Sequence, residues 1–137
     1  MEIDFSAVDD PADFVSIPEG VYHCRVAEVR EGWTRDGDAR WGMRLEVVEG
    51  PYAGRTAAWD GVSWGERGLR RAKFVLAKLG FDTGGRLSVE SGELVGRTAW
   101  VEVRAEERFD PGTGVRSLRL RVPFLGYAED PTELVSG

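Results

Sequence analysis

Two tryptophans and three arginines fall within fourteen residues, EGWTRDGDARWGMR, which span residues 31–44. Arginine guanidinium groups bind phosphates and aromatic rings stack on nucleobases, so this combination is typical of proteins that hold single-stranded nucleic acid. Asp36-Gly37 is a dipeptide that favours a tight turn between two strands. The stretch is therefore either a buried hairpin with an exposed turn or the gripping loop of a binding site.

Residue types that support catalysis are scarce. His23 and Cys24 are the only histidine and the only cysteine, and neighbours on a strand point to opposite faces, so they cannot form a nucleophile and its base. They are also too few for a zinc site. Asp36 and Asp38 lack the ligand spacing of a calcium loop. We therefore predict a protein that is not an enzyme and has no metal and no cofactor, with Cys24 as a small core residue.

The elements that must position these residues follow from hydrophobic periodicity. Period-two alternation and turn residues predict strands, and a stripe of Leu69, Ala72, Val75, Leu76 and Leu79 predicts a helix over 66–80 that stops at Gly80. The predicted strands are residues 20–31, 40–50, 55–60, 97–107 and 115–127, with a further short strand suggested at 86–89.

The order of three strands, a helix and two strands is that of the OB-fold, a five-stranded Greek-key barrel with one helix between strands 3 and 4. A split sandwich or another small barrel with one helix has a similar pattern. In the second strand, Trp41, Met43, Leu45 and Val47 alternate with Arg40, Arg44 and Glu46. We expect the first set to face the core and the second to face outward.

An OB-fold binds its ligand across strands 2 and 3, between the loop joining strands 1 and 2 and the loop joining strands 4 and 5. The first loop is expected to hold Trp33 and Arg35, and the second Arg108 and Phe109. The predicted nucleic-acid-binding residues are these four and the outward arginines of the strands: Trp33, Arg35, Arg40, Arg44, Arg25, Arg108, Phe109, Arg119 and Arg121.

Structural interpretations compete with this one. The strand arginines are equally compatible with a solvated face on which they pair with Glu28, Glu46 and Glu102. Arg70, Arg71 and Lys73 on the helix are expected to face solvent. Trp41 is assigned to the core, whereas Trp59, Trp64 and Trp100 stay open between core, interface and binding roles. Trp33 has no evident structural role, so its replacement by alanine should weaken binding and leave the melting temperature nearly unchanged.

Charge is distributed unevenly along the 137 residues. The net charge is −6, yet residues 20–127 contain fifteen acids and all eighteen lysines and arginines, a net charge of +3. We divide the chain into an acidic N-terminal arm at 1–19, an OB-fold domain at 20–127 and a short acidic C-terminal tail at 128–137. The acidic N-terminal sequence, the lone cysteine and the lack of a long apolar run favour a cytoplasmic protein without a membrane segment.

Four segments carry a family resemblance: PEGVYHCRVAEV, GMRLEVVEGPYAGRTAAW, AKFVLAKLGFD and ELVGRTAWVEV. In this order, over about residues 17–127, the chain resembles the phage and prophage OB-fold proteins that bind single-stranded DNA. The resemblance implies coating of single-stranded DNA during recombination or replication, with recombination or replication proteins as partners. Two features depart from the family: the tail AEDPTELVSG lacks a terminal aromatic, and the only lysines, Lys73 and Lys78, lie in the predicted helix.

The sequence thus predicts sequence-tolerant binding of single-stranded DNA. The alternative is an OB-like module that binds a protein partner, or further copies of itself as a homo-oligomer, without nucleic acid. Partner recruitment through the short tail is in doubt because of its departure from the family.

Overall fold

The computed structural model describes residues 17–134. Its strands and helix are β1 (Gly20–Trp33), β2 (Ala39–Val47), β3 (Thr56–Ser63), α1 (Leu69–Lys78), β4 (Thr98–Asp110), β5 (Val115–Arg121) and β6 (Tyr127–Ala128). The predicted order of three strands, one helix and two strands is confirmed. The two-residue strand β6 was not predicted, and two short 3-10 helices lie at Ser91–Glu93 and Pro131–Leu134.

The strands form one antiparallel sheet in the order β3-β2-β1-β4-β5, and β6 pairs with β4 beside β5. The first three strands make a meander, since β1 pairs with β2 and β2 pairs with β3. The long return from β3 to β4 passes through α1 and brings β4 next to β1, where Cys24 pairs with Ala99. Along the hydrogen-bonded path the sheet begins at β3 and ends at β5, so it is not closed.

The core lies on one face of this sheet. Trp41, Met43, Leu45 and Val47 of β2 are all buried, as their alternation predicts, and Val26 of β1 joins them. Cys24 is buried in the same cluster, and burial raises the pKa of its thiol to about 12, because an apolar environment disfavours the thiolate. It is a core residue, as predicted.

Helix α1 covers the core with the predicted stripe. Ala72, Val75 and Leu76 are buried, and Leu79 follows them just after the last turn. Gly80 has a φ of +96°, a conformation that favours glycine and ends helices. The helix begins at Leu69 instead of Glu66, because residues 66–68 form a turn, and Leu69 of the predicted stripe is exposed.

Two further expectations were wrong. Residues 86–89 form no strand and belong to an irregular connection between α1 and β4. The alternation in 115–127 predicts Leu118 and Phe124 on the same side as Leu120 and Val122, but Leu118 and Phe124 are exposed. Leu118 lies in the two-stranded ribbon formed by the outer parts of β4 and β5, which no other layer of residues 17–134 covers, so an inward-facing register there does not bury a side chain. Phe124 lies in a turn, because β5 ends at Arg121 and not at the predicted residue 127.

Arg71 links the helix to the sheet and to the segment after β5. Its guanidinium donates to Asp60 Oδ2 at 2.8 Å, to the Gly61 carbonyl at 2.9 Å and to the Phe124 carbonyl at 3.1 Å. The side chains of Arg71 and Asp60 are only 14% and 12% exposed. The expectation of a solvent-facing Arg71 was wrong, because the helix packs so that this position lies above the end of β3.

Tyr127 completes the network from the other side. Its hydroxyl donates to the same Asp60 oxygen at 2.6 Å. Burial raises the pKa of Tyr127 well above its usual value, and the Asp60 carboxylate raises it further. The hydroxyl therefore stays protonated and acts as a donor at neutral pH.

The predicted terminal segments are described only in part. Residues 1–16 of the acidic arm and 135–137 of the tail lie outside the described residues. Within the predicted tail, Ala128 is buried in β6 and Glu133 lies 3.2 Å from Lys78 of α1. In residues 17–134, no helix is long and apolar enough to cross a membrane.

The Arg71 network generates a stability prediction. Arg71→Met should lower the free energy of unfolding by about 3–5 kcal/mol, because Asp60 would keep a charge in a mostly buried position without its cation. Urea unfolding at neutral pH measures this. Arg70→Met is the matched control: Arg70 is exposed on the same helix and should change stability by less than about 0.5 kcal/mol. Equal effects of the two substitutions would contradict the role given to Arg71.

Candidate nucleic-acid interface

The turn between β1 and β2 is built as the sequence indicates. The Thr34 N–H donates to the Asp38 carbonyl at 2.8 Å, the Asp38 N–H donates to Thr34 Oγ1 at 3.1 Å, and Gly37 has a φ of +85°. The prediction that Trp33 lies in this loop was wrong: Trp33 is the last residue of β1, where it is 75% exposed. Arg35, in the turn, is also exposed.

The other tryptophans separate into distinct environments. Trp41 is in the core, as predicted, and packs edge-to-face on Trp64 with ring centres 4.9 Å apart. Trp64 is partly buried, and its indole N–H has no hydrogen-bond acceptor among the described residues. Trp100 stacks on His23 at 4.9 Å, and His23 Nδ1 lies 2.9 Å from Glu49 Oε1. These three rings are engaged by neighbours within the fold.

Trp59 on β3 differs from them, because it is 43% exposed on the outer face of the sheet. The Arg30 guanidinium lies 4.6 Å from the centre of its ring, and Arg44 is its cross-strand partner on β2. Neither Trp59 nor Arg30 was among the predicted site residues. The short apolar run of β3 could not be phased by itself, and only its pairing with the alternating strand β2 assigns Trp59 to the outer face.

Two glycines lie opposite each other beside Trp59. Gly42 of β2 pairs with Gly61 of β3, so this part of the outer face has no side chains of its own. The Arg40 side chain occupies the space instead. A Cβ placed on Gly61 would overlap Nε, Cζ and Nη2 of Arg40, whereas a Cβ on Gly42 would lie at an ordinary 3.5 Å from Nη1.

A groove separates the two ends of the sheet. It has a volume of about 590 Å³ and runs between β3 and β5. The β3 side contributes Trp59 and Gly61 with Arg40 above it, and the β5 side contributes Arg119, Leu120 and Arg121. Asp60 also borders the groove, but its carboxylate is bonded to Arg71 and Tyr127.

Arg71 sets the position of the two walls. The same guanidinium that binds Asp60 and Gly61 of β3 also donates to the carbonyl of Phe124, shortly after β5 ends. The planar guanidinium group of Arg71 therefore connects both sides of the groove at one end. The groove is open because no backbone ladder joins β3 to β5, and this side chain limits how far the strands can separate.

Several predicted arginines are paired with acids. Arg25 lies 2.9 Å from Glu46, Arg44 lies 3.3 Å from Glu28, and Arg119 and Arg121 share Glu106 at 3.3 and 3.8 Å. The hydrogen bond from Arg30, reinforced by Arg44, lowers the pKa of Glu28. For Arg25 and Arg44 the competing interpretation, a solvated face of ion pairs, describes the structure well.

Arg35, Arg40 and Arg108 differ, because no ion pair with another residue of the described part of the chain involves them. Such cations keep their full charge available for an anionic ligand. Of these three, Arg40 lines the groove.

The prediction that Arg108 and Phe109 lie in the loop after β4 was wrong. Both residues belong to β4, just before its last residue, Asp110. The strand continues to Asp110 because β4 and β5 pair throughout the ribbon. In that register Phe109 shares a face with Leu118, and Arg108 shares the opposite face with Arg119. Phe109 is 56% exposed, and Arg116 lies beside its ring.

The structure therefore brings only part of the predicted set together. Arg40, Arg119 and Arg121 line one groove. In the β1–β2 register, Trp33 pairs with Ala39 and lies on the face of Trp41, whereas Gly32 pairs with Arg40 on the other face. Trp33 and Phe109 are thus on the faces that lead into the core, and the outer face takes its aromatic group from Trp59.

Within residues 17–134, no three His, Cys, Asp or Glu side chains form a group that could hold a metal ion. No family model matches the chain, and no curated protein matches it in sequence.

The assignment of Trp41 to the core and of Trp33 to the surface is directly testable. Trp41→Ala should lower the free energy of unfolding by about 3–5 kcal/mol, because it removes a large buried side chain from a packed core. Trp33→Ala should change it by less than about 0.5 kcal/mol, because the ring is exposed at the end of its strand. Urea unfolding followed by circular dichroism compares the two. A large loss in Trp33→Ala would mean that this ring packs against the protein.

Proposed function

We propose that the chain binds single-stranded DNA in the groove between β3 and β5, with little dependence on sequence. The observation that carries the proposal is the composition of this groove. Its lining includes one exposed tryptophan, Trp59, the arginine Arg40, which has no ion pair among residues 17–134, and two arginines that share one acid, Arg119 and Arg121. Aromatic groups that stack on bases and arginines that follow the phosphates are what such binding requires.

The electrostatics of the groove support an anionic ligand. Arg40, Arg119 and Arg121 carry three positive charges, against Glu106 and an Asp60 that is already bonded to Arg71. Glu106 pairs with its arginines at 3.3 and 3.8 Å near the surface, where such ion pairs contribute little. A phosphate can therefore replace the carboxylate as their partner at small cost.

The proposal includes the topology. We propose that the sheet is an OB-type barrel in which β3 and β5 are the two strands that approach across the groove. The strand order, the helix after β3 and the long β4–β5 ribbon agree with this arrangement. In the OB-fold, ligands bind on strands 2 and 3 between the loop joining strands 1 and 2 and the loop joining strands 4 and 5, which matches the location of Trp59 and Arg40. The resemblance to the phage-type family points to a role in recombination or replication.

An interaction module is the second candidate. Phe109 and Leu118 are both exposed on one face of the ribbon, and Trp33 is exposed at the end of β1. Exposed large apolar side chains are common at protein interfaces. Light scattering after size exclusion, with and without oligo-dT, distinguishes the candidates: an oligomer that forms regardless of DNA favours the interaction module.

The binding experiment uses tryptophan fluorescence during titration with oligo-dT. We expect quenching at low salt and an affinity that falls with salt at a log–log slope of about −0.7 per neutralised phosphate. Trp59→Ala should weaken binding about 5- to 150-fold, because stacking contributes about 1–3 kcal/mol per base. Trp33→Ala is the matched control, an exposed tryptophan on the other face, and should have a smaller effect.

The contribution of the arginine charges to DNA binding is tested separately. The double variant Arg119→Ala/Arg121→Ala should reduce the steepness of the salt slope, whereas Arg67→Ala/Arg70→Ala removes two exposed charges outside the groove lining and should leave the slope nearly unchanged. Absence of quenching and of any mobility shift at low salt would contradict the proposal.

A further inference from the structure

Arg40 has an unusual position for a residue that contributes only charge. Its guanidinium group covers Gly61, since Nε, Cζ and Nη2 all occupy the space that a Cβ on Gly61 would take. The group also extends toward Gly42, whose Cβ position is 3.5 Å from Nη1. A long, exposed arginine with no ion-pair partner among residues 17–134 normally extends into water, but this one is held against the sheet.

Glycine makes this contact possible. Gly42 and Gly61 are cross-strand partners, so neither strand contributes a side chain to the outer face of the sheet at this point. Neither residue has a positive φ, so neither is required as glycine by its backbone conformation. The absence of a Cβ at Gly61 lets three atoms of the Arg40 guanidinium group lie directly against the strand, beside the groove that Arg40 lines.

The spacing relates this group to Trp59. Residues 59 and 61 are on the same face of β3, and two residues along a strand span about 7 Å. This is roughly twice the 3.4 Å separation of bases within one strand of a duplex. The strand positions that carry Trp59 and support the Arg40 guanidinium therefore have a spacing that suits two successive bases separated from one another, as in an extended single strand, and not the stacked bases of a duplex.

We infer that the Arg40 guanidinium, supported by Gly61, is a second base-stacking platform beside Trp59, so that the groove holds two consecutive unstacked bases. This inference rests on the proposed function. Arginine planes stack on unpaired bases as aromatic rings do, and lysine, a compact charge on a flexible stem, does not. The arginines of β5, Arg119 and Arg121, are left to contact the phosphates between the bases.

The experiment separates stacking from charge with two ligands, oligo-dT and a strand of equal length in which the bases are replaced by abasic sites. Arg40→Lys keeps the charge and removes the plane. It should weaken binding to oligo-dT about 5- to 150-fold and binding to the abasic strand by less than about 2-fold. Arg119→Lys is the control, and it should change the two affinities to the same small degree.

Substitutions of the two glycines test independently whether Gly61 supports the Arg40 guanidinium. Gly61→Ala places a Cβ where the guanidinium lies and should reproduce the loss seen for Arg40→Lys with oligo-dT. Gly42→Ala introduces a Cβ at an ordinary contact distance from Arg40 and should bind oligo-dT nearly as the unsubstituted chain does. Thermal unfolding of each variant checks that the fold is retained before the affinities are compared.

The outcomes distinguish this inference from the proposed function. If the unsubstituted chain does not bind oligo-dT, the proposed function fails and the inference with it. If it binds and Arg40→Lys binds oligo-dT equally well, or loses affinity equally for both strands, the proposed function stands and the stacking role of Arg40 is overturned. A loss confined to the strand with bases supports the inference.

Discussion

The bond between Arg71 and Asp60 is the constraint on which the arrangement of the sheet depends. Asp60 lies in β3 and Arg71 in α1. Tyr127 in β6 also donates to Asp60, and Arg71 also donates to the carbonyls of Gly61 in β3 and Phe124 after β5. The sheet has no hydrogen-bonded closure between β3 and β5, so side chains must define the relation of its two ends. A nearly buried guanidinium with several fixed acceptors does so, since removing any partner would leave an unsatisfied polar group.

This anchoring decides which charged groups the groove presents. Asp60, the acid that borders it, is bonded within the protein, and the outer faces of β2, β3 and β5 present Arg40, Trp59, Arg119 and Arg121. The apolar side chains Trp33, Phe109 and Leu118 lie on the faces that lead into the core, at points where the sheet extends beyond it. Because successive side chains of a strand point to opposite faces of the sheet, the two faces differ: the outer face has a cationic groove, and the other face has exposed apolar side chains at the strand ends.

Much of the fold could be predicted because it follows from local patterns. The alternation in β2 predicts which residues are buried, the stripe in α1 predicts the packing of the helix, and Asp36-Gly37 predicts the turn between β1 and β2. The errors came where burial depends on what covers a strand. Leu118 has an inward register without a layer of residues 17–134 above it, Phe124 lies in a turn after β5 ends, and Arg71 is covered although its helix position indicated solvent.

The sequence by itself determined the order of the elements, the core face of β2, and the abundance of arginine and tryptophan, because periodicity and composition are properties of neighbouring residues. Only the tertiary structure decided which of those side chains share a surface. Arg40 lines one groove with Arg119 and Arg121, which lie on a strand distant in the chain, and Trp59 replaces Trp33 as the aromatic group of the groove. The physical reason is register: one residue along a strand reverses the face, and cross-strand partners fix the register.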